Sequence, residues 1–350
     1  MLRLSACLVL CGALLLPPQA RAESEESASV RDLVDPRGKP GLVQRLEIIT
    51  LATLSLPETE RFYRQGYGLE LEGPIGLQPE AMRDQRSLWG VAEDFGWIEY
   101  RLSRPATWGM PRIRLLALAA PAEPLQADWS ASLAGAQGIG FAVADATALD
   151  ARVRDLGFGG PVLRSAQSQR SDDSVVAEQE SVHYGPDFVR AIARERIAAE
   201  PYAPLDEVSG LGGPAWLSVT TANVEASLAF WTEALDLEVR SDRRIPASGA
   251  DEERRQLLLY ARGSRTGAVE LRVAPRADGI AAASNEGRLA RGIIGAGFVI
   301  HDLPEVLKRL ERADLRPQAD AIVPLPMLAT RRVLSLRSPE GLIVELIEGG

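Results

Sequence analysis

Short apolar runs and a few amphipathic helices alternate along residues 42–350, and the segment 216–239 contains the whole pattern within 24 residues. A strand is followed by a helix that begins after Asn223, and then by a second strand. One face of this helix carries apolar residues at helical spacing: Val224, Leu228, Trp231 and Leu235. That face is predicted to pack against a sheet.

Two internal repeats show that the chain contains a duplication. Residues 48–71 align with 216–239 at a constant offset of 168, and residues 138–145 align with 295–302 at an offset of 157. A repeated unit that cannot bury its own apolar face must pair with another copy. The sequence therefore predicts four units, numbered one to four here, in which unit three repeats unit one and unit four repeats unit two.

Each unit is predicted to contain a strand, a helix and about three further strands. The predicted fold class is α+β, with four βαβββ units forming two tandem domains, 42–197 and 211–350, in which each domain pairs its own two units. The segment 198–210, rich in proline, glycine and charge, is interpreted as the linker. An extra short helix is predicted over 79–89. The residues placed to cap the unit helices are Ser55 with Glu58, Asp145, Asn223 and Asp302.

Residues 1–22 have the features of a secretory signal peptide: a positively charged start, an apolar run over 4–16, and the small-x-small cleavage site Ala20-Arg21-Ala22. An alternative is lipidation at Cys7, although that cysteine precedes most of the apolar run instead of following it. Residues 23–41 are polar and rich in turn formers, which predicts a flexible leader. The expected location is the bacterial periplasm.

Composition and charge narrow the choice of partners. The only cysteines, Cys7 and Cys11, lie in the predicted signal, so no disulfide is expected in the exported protein. The net charge of −9 argues against nucleic acid or an anionic membrane as a partner. We expect a small organic ligand, a monomer or homodimer, and no membrane association once the signal is removed.

Three stretches carry a resemblance to a known family. They are Ser55 with Phe62-Tyr63, Asn223 with Phe230-Trp231, and Pro-Glu-Gly-Leu-Ile-Val-Glu-Leu at 339–346. On these residues the chain resembles the vicinal oxygen chelate superfamily, which includes glyoxalase I, extradiol dioxygenases, fosfomycin resistance enzymes and bleomycin resistance protein. The resemblance implies paired βαβββ units rolled into an incomplete barrel around a pocket, twice in this chain.

The resemblance also implies where a metal would lie. Enzymes of that superfamily hold a divalent metal with histidine or glutamine in the first strand of a unit and glutamate in the last strand. The matching first-strand residues are Ile48, Gly138, Trp216 and Gly295, none of which binds metals, and the matching last-strand residues are Leu116, Ile192, Glu270 and Glu345. We therefore expect no tightly bound metal and no other cofactor. The chain's two histidines, His183 and His301, are interpreted as solvated or capping residues.

The remaining candidate chemistry lies in the last strands of units three and four. Strand alternation places Glu270 and Arg272 on one face of the third unit and Glu345 on the matching face of the fourth. We predict that the three converge in one pocket of the second domain, with Trp216 and Tyr260 as aromatic walls. Glu345 or Glu270 would act as a general base and Arg272 as an oxyanion partner. The alternative is a Glu270–Arg272 ion pair on a solvated face.

Charged and aromatic residues in the first half allow two interpretations. Arg112 and Arg114, with Trp97, Tyr100 and Arg101 on the neighbouring strand, could line a pocket for an acidic or aromatic ligand. Edge-strand charges and ordinary core aromatics explain the same residues, and we favour that interpretation.

Two functional hypotheses follow. The first is a metal-independent periplasmic protein that binds a small molecule without chemistry, similar in principle to the bleomycin-sequestering members. The second is an enzyme, either a lyase or isomerase that uses Glu345 as base or a degenerate metal-dependent protein of the glyoxalase or dioxygenase type. The missing histidines weaken chelation chemistry without excluding acid–base chemistry.

Overall fold

The structure is a computed structural model that describes residues 41–349 apart from 108, 127–132, 161–163, 170–174, 198–202, 246–253, 265, 275–276, 278, 281–282, 286 and 326–328. The predicted signal peptide 1–22 and nearly all of the leader 23–41 lie outside the described residues, as does the first part of the linker 198–210.

Unit one contains four strands and two helices. The strands are β1 (Val43–Thr53), β2 (Glu70–Ile75), β3 (Trp97–Ser103) and β4 (Arg112–Leu118). Helix α1 (Leu56–Glu60) continues as a π-helical stretch (Arg61–Gly66), and helix α2 (Pro79–Trp89) lies between β2 and β3, where the sequence predicts it.

The capping box predicted in unit one does not form. Ser55 makes no side-chain cap hydrogen bond. Its backbone amide instead donates to Thr53 Oγ1 over 3.1 Å, and the Thr53 hydroxyl also contacts Thr59 Oγ1 at 2.9 Å. A threonine at the end of the strand therefore fixes the turn into the helix in place of the predicted cap.

Units two to four repeat the pattern. Unit two contains β5 (Gly135–Val143), α3 (Ala146–Asp155), β6 (Arg164–Gln169), β7 (Val175–Tyr184) and β8 (Arg190–Arg196). Unit three contains β9 (Leu211–Thr221), α4 (Val224–Leu228) with a π-helical continuation (Ala229–Ala234), β10 (Leu237–Ile245), β11 (Arg254–Ala261) and β12 (Ala268–Val273). After a short hairpin, β13 (Ser284–Asn285) and β14 (Arg288–Leu289), unit four contains β15 (Gly292–Ile300), α5 (Leu303–Arg312), β16 (Ala319–Leu325), β17 (Ala329–Arg337) and β18 (Ile343–Glu348).

The other three predicted caps are confirmed. Asp145 accepts a hydrogen bond from the amide of Ala148, Asn223 from that of Ala226, and Asp302 from that of Glu305. Each cap satisfies a backbone donor that the first helical turn leaves without a partner. Together with the strand order, they confirm the α+β class and the four βαβββ units.

The pairing of the units differs from the prediction. Strand β1 pairs antiparallel with β15, and β5 pairs antiparallel with β9. Sheet I therefore joins units one and four in the order β16-β17-β18-β15-β1-β4-β3-β2, and sheet II joins units two and three in the order β10-β11-β12-β9-β5-β8-β7-β6. The predicted halves, 42–197 and 211–350, are each divided between the two sheets.

One hydrophobic core lies between the sheets. It contains the unit helices and the sheet faces that they cover, including the buried side chains Phe62, Phe141, Trp231 and Phe298. The opposite face of each sheet, called the inner face below, carries a separate apolar cluster. On sheet I, α2 covers this face and contributes Leu88 and Trp89 to its cluster. None of the helices in the described part of the chain is long and apolar enough to cross a membrane.

A buried histidine links units one and two. His183 is 0% exposed. Its Nδ1 lies 2.5 Å from Tyr67 Oη, and its Nε2 lies 2.8 Å from Ser181 Oγ and 3.2 Å from Asp150 Oδ1. The prediction of a solvated His183 is therefore wrong, because the helices of both units close over the end of β7. His301, in contrast, is exposed, as predicted.

His183 makes folding pH-dependent. Burial lowers its pKa from 6.5 to about 4, against the opposing effect of Asp150. Between these pH values the unfolded chain binds a proton that the folded chain does not, so the free energy of unfolding falls as the pH falls through this window, by about 3 kcal/mol in total.

We expect His183→Gln to flatten this part of the pH profile in urea unfolding experiments between pH 7 and pH 4. The matched control is His301→Gln, which should keep the wild-type slope because that ring is exposed. Equal slopes for wild type and His183→Gln would contradict the prediction.

Candidate functional site

A buried ion pair lies on the inner face of sheet I. Arg114 of β4 donates from Nη2 to Glu345 Oε2 of β18, and the two side chains are 2% and 1% exposed. Arg114 also donates to Thr50 Oγ1 of β1, from Nε over 3.1 Å and from Nη2 over 2.7 Å. The pair connects the last strand of unit one with the last strand of unit four.

Trp89, the last residue of α2, covers this pair. Its Nε1 donates to Glu345 Oε1 over 2.9 Å, and the guanidinium carbon of Arg114 lies 4.8 Å from the centre of its ring. Hydrogen bonding and cation–π contact thus fix the carboxylate and the guanidinium at once. We call Arg114, Glu345 and Trp89 cluster I.

Sheet II contains a matching arrangement, cluster II, formed by Arg194 of β8, Glu270 of β12 and Trp216 of β9. Arg194 donates from Nη2 to Glu270 Oε1, and its guanidinium carbon lies 4.8 Å from the ring centre of Trp216. Glu270 Oε2 accepts from Ser218 over 2.9 Å and from Arg272 Nε over 2.7 Å. The Glu270 side chain is 0% exposed.

The strand register relates the two clusters. In sheet I, Thr50 pairs with Arg114. In sheet II, Ser218, which is equivalent to Thr50 in the internal repeat, pairs with Glu270. Arg114, and not the predicted Leu116, therefore occupies the position equivalent to Glu270, with the opposite charge. The interpretation of Arg114 as an edge-strand charge, which we favour from the sequence, is wrong because β4 lies between β1 and β3 inside sheet I.

The predicted site residues do not converge in one pocket. Glu345 belongs to sheet I, whereas Glu270 and Arg272 belong to sheet II, because β18 and β12 are in different sheets. Trp216 and Tyr260 lie with Glu270 on the inner face of sheet II, and Tyr260 packs beneath the guanidinium of Arg240 at 4.6 Å. Each cluster pairs a predicted glutamate with an arginine outside the predicted set: Arg114, considered above only as a possible pocket residue of the first half, and Arg194, which the sequence did not single out.

Charge and hydrogen bonding hold Glu270 in its ionised form. Burial opposes ionisation, but Arg194 and Arg272 outweigh burial and hold the pKa of this carboxyl well below its usual range. Glu180 shows the same balance, and Arg194 and Arg272 lower its pKa against burial. A carboxylate held in this way binds a proton weakly, so the geometry favours an anchoring role for Glu270 over the predicted general base.

The inner faces do not fit a chelated metal ion. Among the described residues, no group of three or more histidine, cysteine, aspartate or glutamate side chains could hold one. The Trp216 ring fills the first-strand position of unit three, and Arg114 donates directly to the Glu345 oxygen that would bind the metal. A divalent cation there would face a guanidinium at contact distance, which like-charge repulsion disfavours.

The two arginines outside the predicted site have a common sequence signal. Both lie on the last strand of their unit, on the same strand parity as the neighbouring inner-face residues Leu116 and Ile192. Alternation alone therefore places them on the inner face. Alternation does not identify their partners, because these belong to other units. The partner of Arg114 lies 231 residues away along the chain, and that of Arg194 lies 76 residues away.

We expect Arg114→Met to destabilise the fold by about 3–5 kcal/mol, since it leaves the Glu345 carboxylate buried without its cation. Glu345→Met should do the same, and the double variant Arg114→Met/Glu345→Met should recover most of the loss. Urea unfolding of all three measures the coupling. The control, Arg332→Met, breaks the exposed pair with Asp320 and should cause no measurable change. Single variants no worse than this control would contradict the assignment.

Substitution of Gly140 tests the packing of cluster II. A Cβ added there would lie 1.7 Å from the Trp216 ring, whereas one added at Gly159 would meet nothing within 4 Å. Gly140→Ala should therefore displace Trp216 and cost about 1–3 kcal/mol, and Gly159→Ala should not. Thermal unfolding and near-ultraviolet circular dichroism measure both effects, and equal stability of the two variants would count against the packing.

Comparisons with known proteins identify the fold. The sequence matches no model of a known protein family and no curated protein. Glyoxalase I from Zea mays has a TM-score of 0.53 and 15% identity over 87% of this chain and 92% of its own. A mutant of the same enzyme has a TM-score of 0.56 with the same identity and coverage. At this identity the likeness concerns architecture alone, so the chain shares the fold of glyoxalase I.

Proposed function

We propose that this chain is an exported, metal-independent binding protein for a small organic molecule, held at the inner face of sheet II. The observation that carries the proposal is Arg272, a partly exposed arginine bonded to Glu270 at the position where the superfamily resemblance implies a metal. A guanidinium is a permanent cation with five donors in a planar fork. It can hold a ligand oxygen without a metal.

Arg272 is the group that we assign to the ligand. Its side chain is 16% exposed, and its Nε is used by Glu270. Its Nη2 has no hydrogen-bond partner among the described residues and lies 3.7 Å from Glu180 Oε2. The arginine is thus anchored at one end and able to donate at the other. Tyr260, which is partly exposed, provides aromatic surface on the same inner face, where Trp216 is buried in the same apolar cluster.

The contacts of the glutamates favour binding over chemistry. Glu345 accepts from Trp89 with one oxygen and from Arg114 with the other. Glu270 accepts from Arg194, Ser218 and Arg272. A lyase or isomerase that used either residue as a base would have to break these bonds first, and each bond to a charged group contributes about 1.5–3 kcal/mol.

Export is part of the proposal and rests on the signal-like segment 1–22. With this segment removed, the chain begins at Glu23. A binding protein in the periplasm meets ligands that pass the outer membrane, which fits a site for a small organic molecule.

Native mass spectrometry of protein purified from periplasm without chelators tests the proposal. We expect a chain that begins at Glu23, a retained small organic molecule, and far less than one equivalent of zinc, iron, manganese or nickel. Arg272→Gln should lose the molecule and keep the fold. Arg255→Gln, which removes an arginine paired with Asp242, should retain it. A stoichiometric metal whose removal lowers the melting temperature would overturn the proposal.

A further inference from the structure

Four polar side chains meet in the buried contact between units one and two. Tyr67 follows the π-helical stretch of unit one, Asp150 lies on α3, and Ser181 and His183 lie on β7. His183 Nδ1 lies 2.5 Å from Tyr67 Oη, and its Nε2 lies 2.8 Å from Ser181 Oγ and 3.2 Å from Asp150 Oδ1. We call these four residues the polar quartet.

The duplication supplies an apolar counterpart of the quartet. The repeat offsets, and the pairing of β7 with β8 and of β17 with β18, place a leucine at each equivalent position in units three and four: Leu235, Leu307, Leu334 and Leu336. All four belong to the core between the sheets or pack against it. Leucine therefore fills the same contact without a polar atom, so packing alone does not require the quartet.

The hydrogen bonds of the quartet fit a neutral imidazole. A neutral ring has one N–H donor and one acceptor nitrogen. Burial raises the pKa of the Asp150 carboxyl, but the hydrogen bond and the charge of Arg154 outweigh burial, so the pKa is lowered and the group is ionised. We therefore assign the proton of His183 to Nε2, which faces this carboxylate, and Nδ1 accepts from the Tyr67 hydroxyl.

A second proton on His183 breaks this pattern. Nδ1 then carries an N–H that points at the Tyr67 hydroxyl, and among the described residues Tyr67 Oη has no hydrogen-bond partner other than His183. One of the two hydrogens is thus left without an acceptor at a buried site. The added charge is also poorly compensated, because Asp150 already accepts from Arg154 over 2.7 Å.

The other elements packed around His183 offer the imidazolium no counter-charge. Tyr67 and the neighbouring Tyr63 are phenols whose pKa burial raises, so both stay neutral. Phe141 of β5, which contacts the Tyr67 ring, and Ala191 of β8, the cross-strand partner of His183, are apolar. Burial therefore dominates and lowers the pKa of His183 from 6.5 to about 4.

The contact between units one and two can open without the loss of a sheet. Strand pairing joins unit one to unit four and unit two to unit three. Units one and two instead meet through helix packing, in which Gly66 of the π-helical stretch faces Val153 of α3. The opposite side of this stretch, which carries Arg61 and Arg64, borders an open groove of about 550 Å³. A displacement away from α3 therefore meets solvent.

The equivalent turn in unit three is tied to its surroundings by more side-chain bonds. Asp236 accepts from three other elements: Arg262 over 3.3 Å, Arg309 over 3.1 Å and the amide of Leu42 over 3.1 Å. The equivalent residue of unit one is Gly68, which has no side chain to form such bonds, and Arg104 instead donates to the Tyr67 carbonyl oxygen. The turn of unit one is therefore the one that we expect to yield.

We propose that the polar quartet is an acid-sensitive latch: protonation of His183 breaks its bond to Tyr67 and releases the π-helical stretch of unit one from α3. The leucine-filled contact between units three and four stays closed. Opening is local, leaves both sheets paired, and gives the first half of the chain a response to acid that the second half lacks.

Hydrogen exchange of the full chain tests the inference. It is measured by mass spectrometry at pH 7 and pH 5 and corrected for the intrinsic effect of pH on exchange. Segments 61–68 and 146–156 of units one and two are compared with 229–236 and 303–313 of units three and four. A pKa of 6.5 in the open form and about 4 in the closed form predicts that protection of the first pair falls about twentyfold further than that of the second.

His183→Gln keeps a hydrogen-bonding side chain that does not titrate in this range, so it should retain the protection at pH 7 and remove the extra loss at pH 5. The matched control His301→Gln changes an exposed ring and should keep the wild-type difference. An equal loss in both pairs of segments of the wild type would indicate opening of the whole chain and overturn the inference. No loss at pH 5, or an extra loss that persists in His183→Gln, would also overturn it.

Discussion

Each sheet depends on an ion pair that is removed from water where two distant units meet. Desolvating a carboxylate and a guanidinium costs several kcal/mol per ion, and only well-placed hydrogen bonds offset that cost. In sheet I, Thr50 and Trp89 supply the additional contacts. Once the pair has formed, loss of either partner leaves the other charge buried without compensation. The ion pair therefore both stabilises the contact between the two units and disfavours pairings that would separate its partners.

The two clusters reach the same arrangement from different residues. In sheet II the tryptophan comes from the first strand of a unit, and in sheet I it comes from the end of α2. Arg114 also takes the place that a glutamate, Glu270, has in its repeat mate, as the register of Thr50 and Ser218 shows. An aromatic ring, a guanidinium and a carboxylate can therefore fill the centre of this fold in more than one connectivity, which separates the architecture from any one chemistry.

Local signals in the sequence predicted the elements well and their partners poorly. The caps Asp145, Asn223 and Asp302 act within one helical turn, so the sequence alone specifies them. The choice between β5 and β15 as the partner of β1 is different, because both are buried strands that carry three glycines at the same spacing. Alternation placed Glu270 and Glu345 on inner faces correctly, but which strands share a sheet is a long-range property. For the same reason the burial of His183 could not be predicted from its own strand.

The pairing of the first unit with the last has a consequence for the order of folding. Units two and three are adjacent in the chain, so sheet II can form before unit four is available. Sheet I cannot form until β15 and β18 arrive, because the partners of β1 and Arg114 lie more than 200 residues downstream. Contacts of such separation slow folding and leave strand edges exposed meanwhile. If the chain is exported as proposed and emerges amino end first, unit one therefore stays open until synthesis and passage of the chain are complete.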